Sequence, residues 1–238
     1  MATPNHRQEN QRVYILHTYP FKETSLIAEV FTEKFGRIPV VAKGARRPRS
    51  SIRGMLQSFQ ILLANWSGKS ELKSLNGLEW CEKLTILEGD ALMCGFYINE
   101  LMMRLLPRDE PHMDLFHFYH ETILALSEGR ELTITLRRFE LKLLQALGYA
   151  VTLDQDEDSN PIIPDKIYRY EAEYGACDLM KTDHGIKVLG KTLLDMASDQ
   201  YISKETQQQS KQLMRYLLGF YLGDKPLHSK QLFVDLQG

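Results

Sequence analysis

From Val13 onward, apolar and polar residues alternate with a period of two, the spacing of half-buried strands, and turn formers interrupt them at short intervals. The alternation predicts five strands: Val13 to His17, Ser25 to Thr32, Arg37 to Lys43, Gln60 to Ser67 and Leu72 to Leu78. The breaks fall at Tyr19-Pro20, at Lys34-Phe35-Gly36, along a Gly/Pro/Ser stretch after Lys43, and at Gly68-Lys69-Ser70. Pro39 cannot donate to a ladder and suits an edge or irregular position. Five short strands are too few for a sandwich and fit a small closed barrel. The common barrel of that size is the OB-fold, which binds single strands on one face and its adjoining loops.

Around Cys81 the period changes to that of a helix. Ala91 to Leu106 carries apolar residues at helical spacing and is ended by Pro107. A second helix is expected over Met113 to Leu126. A third, Leu132 to Leu147, sets Leu136, Phe139, Leu143, Leu144 and Leu147 on one stripe and stops at Gly148. These three should pack together. Thr152 to Pro164, TLDQDEDSNPIIP, is acidic and Pro-containing and reads as a loop or boundary. Short strands over Ile167 to Tyr174 and Ala176 to Met180 follow, then helices over Lys191 to Ala197 and Lys204 to Leu222, then a segment Pro226 to Leu236.

The expected fold is therefore a multidomain α+β chain: a five-stranded OB-fold barrel, then an α-helical bundle with a small irregular third region. The expected divisions are a disordered tail over 1–12, the barrel over 13–80, a helical domain over 81–151, an irregular insert over 152–190, and helices over 191–238 returning to the bundle. Residues 1–12 are polar and lack the apolar segment of a secretory signal. No apolar run approaches the roughly 18 residues of a membrane span. Cys81, Cys94 and Cys177 are far apart and form no Cys-x-x-Cys pair, which suggests reduced thiols in a cytosolic protein.

The formal net charge of -2 hides an asymmetry. Residues 1–80 hold twelve Lys/Arg against six Asp/Glu, and the remainder seventeen against twenty-five. Between Arg37 and Lys69 stand seven cations and no acid: Arg37, Lys43, Arg46, Arg47, Arg49, Arg53 and Lys69. A basic loop between strands can follow a phosphate backbone, releasing condensed counterions at each contact. The alternative is a solvated loop with no ligand. Tyr14, Phe31, Phe59 and Trp66 are candidates for base stacking, or else barrel core.

Three patterns invite other chemistry. Gly185-Ile-Lys-Val-Leu-Gly190-Lys191-Thr192 matches the phosphate-loop motif G-x-x-x-x-G-K-[ST], the basis of a rival reading as an ATPase. The motif needs a preceding buried strand and loop-forming residues between its glycines, whereas here a turn precedes it and bulky residues fill it, so a plain helix N-terminus is expected. Asp154, Asp156 and Asp158 have calcium-loop spacing, but Ser159 replaces the required Gly and Asp165 the bidentate Glu. His117 with His120 or Glu121 could share a metal, yet the buried stripe of Leu115, Phe116, Tyr119, Ile123 and Leu126 leaves them facing water. No metal, cofactor or catalytic constellation is expected.

Several stretches, in order along the chain, share one pattern: Glu23-Thr24-Ser25-Leu26; Val30-Phe31-Thr32-Glu33 with Gly36-Arg37; Val41 to Arg46; Leu56-Gln57 before Phe59; Tyr97-Ile98-Asn99-Glu100-Leu101; Leu136 to Leu141 with Leu147-Gly148-Tyr149; and Lys225-Pro226-Leu227 with Ser229. Together they resemble the RecO family of bacterial recombination mediators. The likeness runs in order from about Tyr14 to Phe233. It implies an OB-fold, a helical bundle and a small third region. It implies binding and annealing of single- and double-stranded DNA, contact with the acidic tail of single-stranded-DNA-binding protein, and association with RecR to help load RecA, in the bacterial cytoplasm at the nucleoid. The DNA surface implied is the basic stretch above. The tail would meet the helical domain at Arg137, Arg138 and Leu141, with Arg137 pairing a carboxylate. Some members hold zinc through four cysteines in the third region. Here only Cys177 is present, so no zinc is expected. A second rival is an adaptor that binds only proteins.

Overall fold

The computed structural model describes residues 6–229 apart from Lys83, Ala150, Thr182 and Asp224. The strand and helix pattern read from the sequence is present, and the chain divides into two compact units. The first runs to Arg130 and takes up the chain again at Leu227; the second is Glu131–Pro226.

In the first unit, β1 (Arg7–Phe21), β2 (Ser25–Thr32), β3 (Gly36–Ala42), β4 (Ile61–Ser67) and β5 (Lys73–Trp80) form a closed barrel in the order β1-β2-β3-β5-β4. This is the five-stranded OB-fold. Val13, Ile15, Ala28, Val30, Ile38, Val40, Leu62, Ala64, Trp66 and Leu78 fill its interior, as the period of two requires. Pro39 lies in a strand paired on both sides, but the parallel ladder to β5 begins only at Val40.

Two features of β1 were not expected. Residues 7–12, assigned to a disordered tail, form the start of the strand and pair with β4 from Arg7↔Ser67 to Arg12↔Leu63. Their polarity reflects an exposed barrel rim, where main-chain pairing holds a strand that buries few side chains. Residues 1–5 of that expected tail lie outside the described residues. Further along, the register with β2 shifts between Ile15↔Val30 and His17↔Glu29, leaving Leu16 as a one-residue bulge. Its carbonyl, freed from the ladder, accepts a hydrogen bond from Asn99 Nδ2 at 2.9 Å. Asn99 Oδ1 in turn accepts from the Tyr119 hydroxyl at 2.6 Å.

Those two residues belong to α1 (Gly89–Leu105) and α2 (Met113–Ser127), which cover one part of the barrel's outer face. Outward-facing Tyr14 and Phe31 pack with Phe116 and Tyr119 in a buried aromatic group. Gly95 keeps α1 close to Phe59, because an added Cβ would press on the Phe59 ring and Leu87. The returning stretch is tied to α1 at its first turn: the Glu100 carboxylate accepts from the His228 and Ser229 amides and the Ser229 hydroxyl. The expected segment up to Leu236 extends past the described residues.

In the second unit, α3 (Leu132–Ala146) packs on α5 (Lys204–Leu222). The three helices read as one bundle are thus divided. α1 and α2 bury their stripes on barrel strands and each other, and α3 buries Phe139, Leu143 and Leu144 within the second unit. The region read as irregular contains a small antiparallel sheet, β6 (Ile167–Glu171), β7 (Gly175–Asp178) and β8 (Ile186–Leu189), in the order β7-β6-β8. Tyr168, Tyr170, Ala176, Cys177 and Val188 supply its buried side chains. α4 (Gly190–Ala197) follows β8 directly and packs with α5. Both therefore belong to the second unit, and only the chain from Leu227 returns to the first.

Candidate nucleic-acid interface

The loop joining β3 to β4 is a chain of tight turns rather than a free strap. Successive backbone bonds run from Ala45 N to Ala42 O, Arg47 N to Gly44 O, Ser50 N to Arg47 O, Arg53 N to Ser50 O and Leu56 N to Ile52 O. Ala45 is fully buried in the barrel core, and Ile52, Met55 and Leu56 pack against that core. Arg46 N donates to Thr24 O at 2.8 Å, and its guanidinium Nη1 to Lys22 O at 3.3 Å. These contacts join the loop to the β1–β2 turn. Gly44 takes a positive φ, and the Arg47 side chain folds back over it.

Apolar residues thus seat the loop while the cations point outward. Lys43, Arg46, Arg47, Arg49 and Arg53 are all exposed. Lys69 is exposed as well, but it stands on the β4–β5 turn, which is joined to Arg108 and Asp109 through Glu71 and Lys73. Among the described residues, none of the six meets a carboxylate within ion-pair distance. Five cations without an ion-pair partner among the described residues, on one loop of successive turns, form a surface suited to successive phosphates.

Arg37 does not belong to that surface. Its Nη1 donates to Glu29 Oε2 at 2.9 Å and its Nε to Leu106 O at 3.0 Å, with only 12% of the side chain exposed. Arg108 holds the other Glu29 oxygen and also reaches Glu71. The pair joins β2, β3 and the segment after α1, so Arg37 is a structural cation. Nor do the four expected stacking aromatics face solvent: Tyr14, Phe31, Phe59 and Trp66 are all buried. Exposed aromatics of the barrel strands include His17 and Tyr19, beyond the bulge, and Trp80 at the end of β5. Simple alternation through Leu16 hides the orientation of His17 and Tyr19.

The phosphate-loop match is not a phosphate cradle. Ile186 to Leu189, which would have to form an open nest of amides, are strand β8 paired with β6. Lys191 Nζ is engaged by both Asp195 oxygens at 2.7 and 2.8 Å, and Thr192 Oγ1 donates to Gln209 Oε1 at 3.0 Å. In the acidic loop, Asp156 Oδ1 accepts the amides of Asp158 and Asn160, and Lys181 pairs with Glu157 and Asp158. The three aspartates therefore do not converge on a cation. His117 faces Glu33 at 3.4 Å, whereas His120 Nδ1 meets the Tyr14 hydroxyl at 2.6 Å, so the two rings turn to separate partners. Burial and the neighbouring Glu157 push the Cys177 thiol up to about 12. Among the described residues, no three His, Cys, Asp or Glu side chains gather as a metal site, and no helix is long and apolar enough to cross a membrane.

Of the residues proposed to meet a partner's tail, Arg137 is buried and committed: Nη2 donates to Glu140 Oε1 at 2.7 Å and Nη1 to Lys211 O at 3.4 Å. At i and i+3 on α3, the two charges neutralise each other inside the second unit. Arg138, one position on, points to solvent and pairs with exposed Asp199 at 2.6 Å. Leu141 is nearly covered, with 9% of its surface exposed.

Comparison with known proteins gives one answer along the chain. The family description "Recombination protein O N terminal" matches residues 6–84, covering the barrel, and "Recombination protein O C terminal" matches residues 87–231. The DNA repair protein RecO of Nitrosospira multiformis is 50% identical over 240 residues, covering 100% of this chain and 99% of the relative. Those of Burkholderia pseudomallei and Dechloromonas aromatica are each 45% identical, covering 99% and 96% of this chain and 86% and 96% of theirs. Barrel, helices and matched sequence agree along the whole length, and the chain belongs to the RecO family of DNA repair proteins.

Proposed function

We propose that this chain acts as a recombination mediator that binds single- and double-stranded DNA through the Lys43–Arg53 loop and anneals complementary strands. The observation that carries the reading is the exposed, acid-free set of Lys43, Arg46, Arg47, Arg49 and Arg53, held on the barrel by buried Ala45. Neutralising phosphates on two strands lowers their repulsion and raises their local concentration, with no bond made or broken. Lys69, on the β4–β5 turn near the start of β1, would be a separate phosphate contact. The acidic tail of single-stranded-DNA-binding protein would be met by Arg138, exchanging Asp199 for a tail carboxylate, next to Leu141. Association with RecR, help in loading RecA, and a cytoplasmic site at the bacterial nucleoid complete the proposal.

The test is DNA affinity and annealing over a salt series for the native chain and for Arg46→Ala/Arg47→Ala/Arg49→Ala. The native log affinity should fall linearly with log salt. The variant's slope should flatten by about two to three, with annealing lost. Identical slopes would move the DNA surface elsewhere, and a native chain that binds no DNA would favour the protein-only adaptor.

A further inference from the structure

The bulge at Leu16 reverses which residues of β1 face outward. Before it, Val13 and Ile15 point into the barrel and Tyr14 points out beneath the helices. After it, Thr18 pairs with interior Ala28, and His17, Tyr19 and Phe21 take the outer face. Tyr19 lies opposite Ile27, which lies opposite Val41, so an apolar floor of two strands extends beside it.

Tyr14 and Phe31 on this outer surface are covered by α2, but Tyr19 is 43% exposed. Its ring packs against His17, centroid to centroid 4.4 Å with 65° between the planes, and still keeps its exposure. Two residues further, Lys22 Nζ stands 5.4 Å from the centre of the Phe21 ring. Arg46 reaches the Lys22 carbonyl from the basic loop. The aromatic strip and the cationic loop therefore meet at the β1–β2 turn, which also carries exposed Glu23.

We infer that Tyr19, held by His17, is a base-stacking platform that receives unpaired bases of a single strand whose phosphates lie along Lys22, Lys43 and Arg46. The inference rests on the DNA-binding reading above and adds what that loop cannot supply, a preference for unpaired over paired strands. A cation recognises phosphates in either form, whereas a ring can stack only on a base that is free of its partner. A duplex presents sugar and phosphate to the same surface and would leave Tyr19 idle.

The experiment compares binding of an oligo-dT strand and of a duplex of equal length by the native chain, Tyr19→Ala and Tyr19→Phe, each over a salt series. Tyr19→Ala should weaken oligo-dT binding by about tenfold, leave duplex affinity within about twofold and keep the salt slope, since no charge is removed. Tyr19→Phe should retain oligo-dT binding, and the thermal midpoint of both variants should match the native one. Equal loss on both ligands, or unchanged oligo-dT binding by Tyr19→Ala, overturns the platform while leaving the loop's role standing. Failure of the native chain to bind either ligand overturns both readings.

Discussion

Glu29 and Arg37 meet diagonally across β2 and β3, with Glu29 Oε2 2.9 Å from Arg37 Nη1 and the carboxylate almost wholly buried. An arginine that the charge pattern assigns to DNA is thereby a structural tie. Arg37→Ala should cost about 3 kcal/mol in urea unfolding, because it leaves a buried carboxylate with Arg108 as its remaining ion-pair partner among the described residues. The salt slope of DNA binding, measured on whatever remains folded at low temperature, should not change. A lowered slope with native stability would return Arg37 to the interface.

Ala45 separates the loop's charge from its placement. Ala45→Leu keeps every cation but adds three carbons to a filled core, an overpacking cost of about 1–3 kcal/mol. The strain should be relieved by lifting the loop, so DNA affinity should fall with no charge removed. Native affinity in this variant would show that the loop binds without being seated.

His120 sets a pH dependence. Burial holds the Tyr14 phenol protonated, so it donates to His120 Nδ1. Burial is also the main cause that pulls the His120 imidazole below its ordinary value, with Arg12 adding to the effect and Glu82 opposing it. The folded state thus prefers neutral His120. Its contribution is complete above the ordinary value of about 6.5 and is lost as pH falls through the lowered folded value. Subtracting the pH–stability curve of His120→Gln from the native one should give a difference that declines over that window. A flat difference would remove His120 as the cause.

Gly36 combines φ of +68° with backbone contact: a Cβ there would overlap the Glu110 carbonyl. Gly36→Ala should therefore lose at least about 2 kcal/mol, more than the left-handed conformation alone costs an L-residue. Calorimetry of the variant is the check.

The neighbours Arg137 and Arg138 should separate in the same way as Arg37 and the loop. Arg137→Ala should destabilise the protein by about 3–5 kcal/mol by taking the Arg137 guanidinium away from the buried Glu140 carboxylate. Arg138→Ala should alter stability by less than about 1 kcal/mol and weaken binding of a peptide of the proposed acidic tail. Titration calorimetry with that peptide, beside chemical unfolding, reads both effects.

The barrel was legible because each strand carries its own period, and the first and third helices because their stripes end at Pro107 and Gly148. The start of β1 was not, since Arg7 to Arg12 owe their order to pairing with β4 rather than to any apolar pattern. The basic loop was legible as a charge imbalance that needs no partner to be seen. Arg37 was misassigned because its acid sits on the adjacent strand, visible only once register is known. Arg137 carried a signal that could have been used: Glu140 lies three residues on, within reach on one helical face. Tyr19 was hidden by a single extra residue, which no alternation rule registers.

From Gln11 onward, that extra residue gives β1 two parities. From Gln11 to Ile15 even-numbered side chains belong to the exterior, and from His17 odd-numbered ones do. Environment along this strand is assigned by counting from Leu16, so deleting this one apolar residue would exchange inside for outside over every position on one side of it. Substituting Leu16 would only alter a contact. The length of β1 is under tighter constraint than its composition.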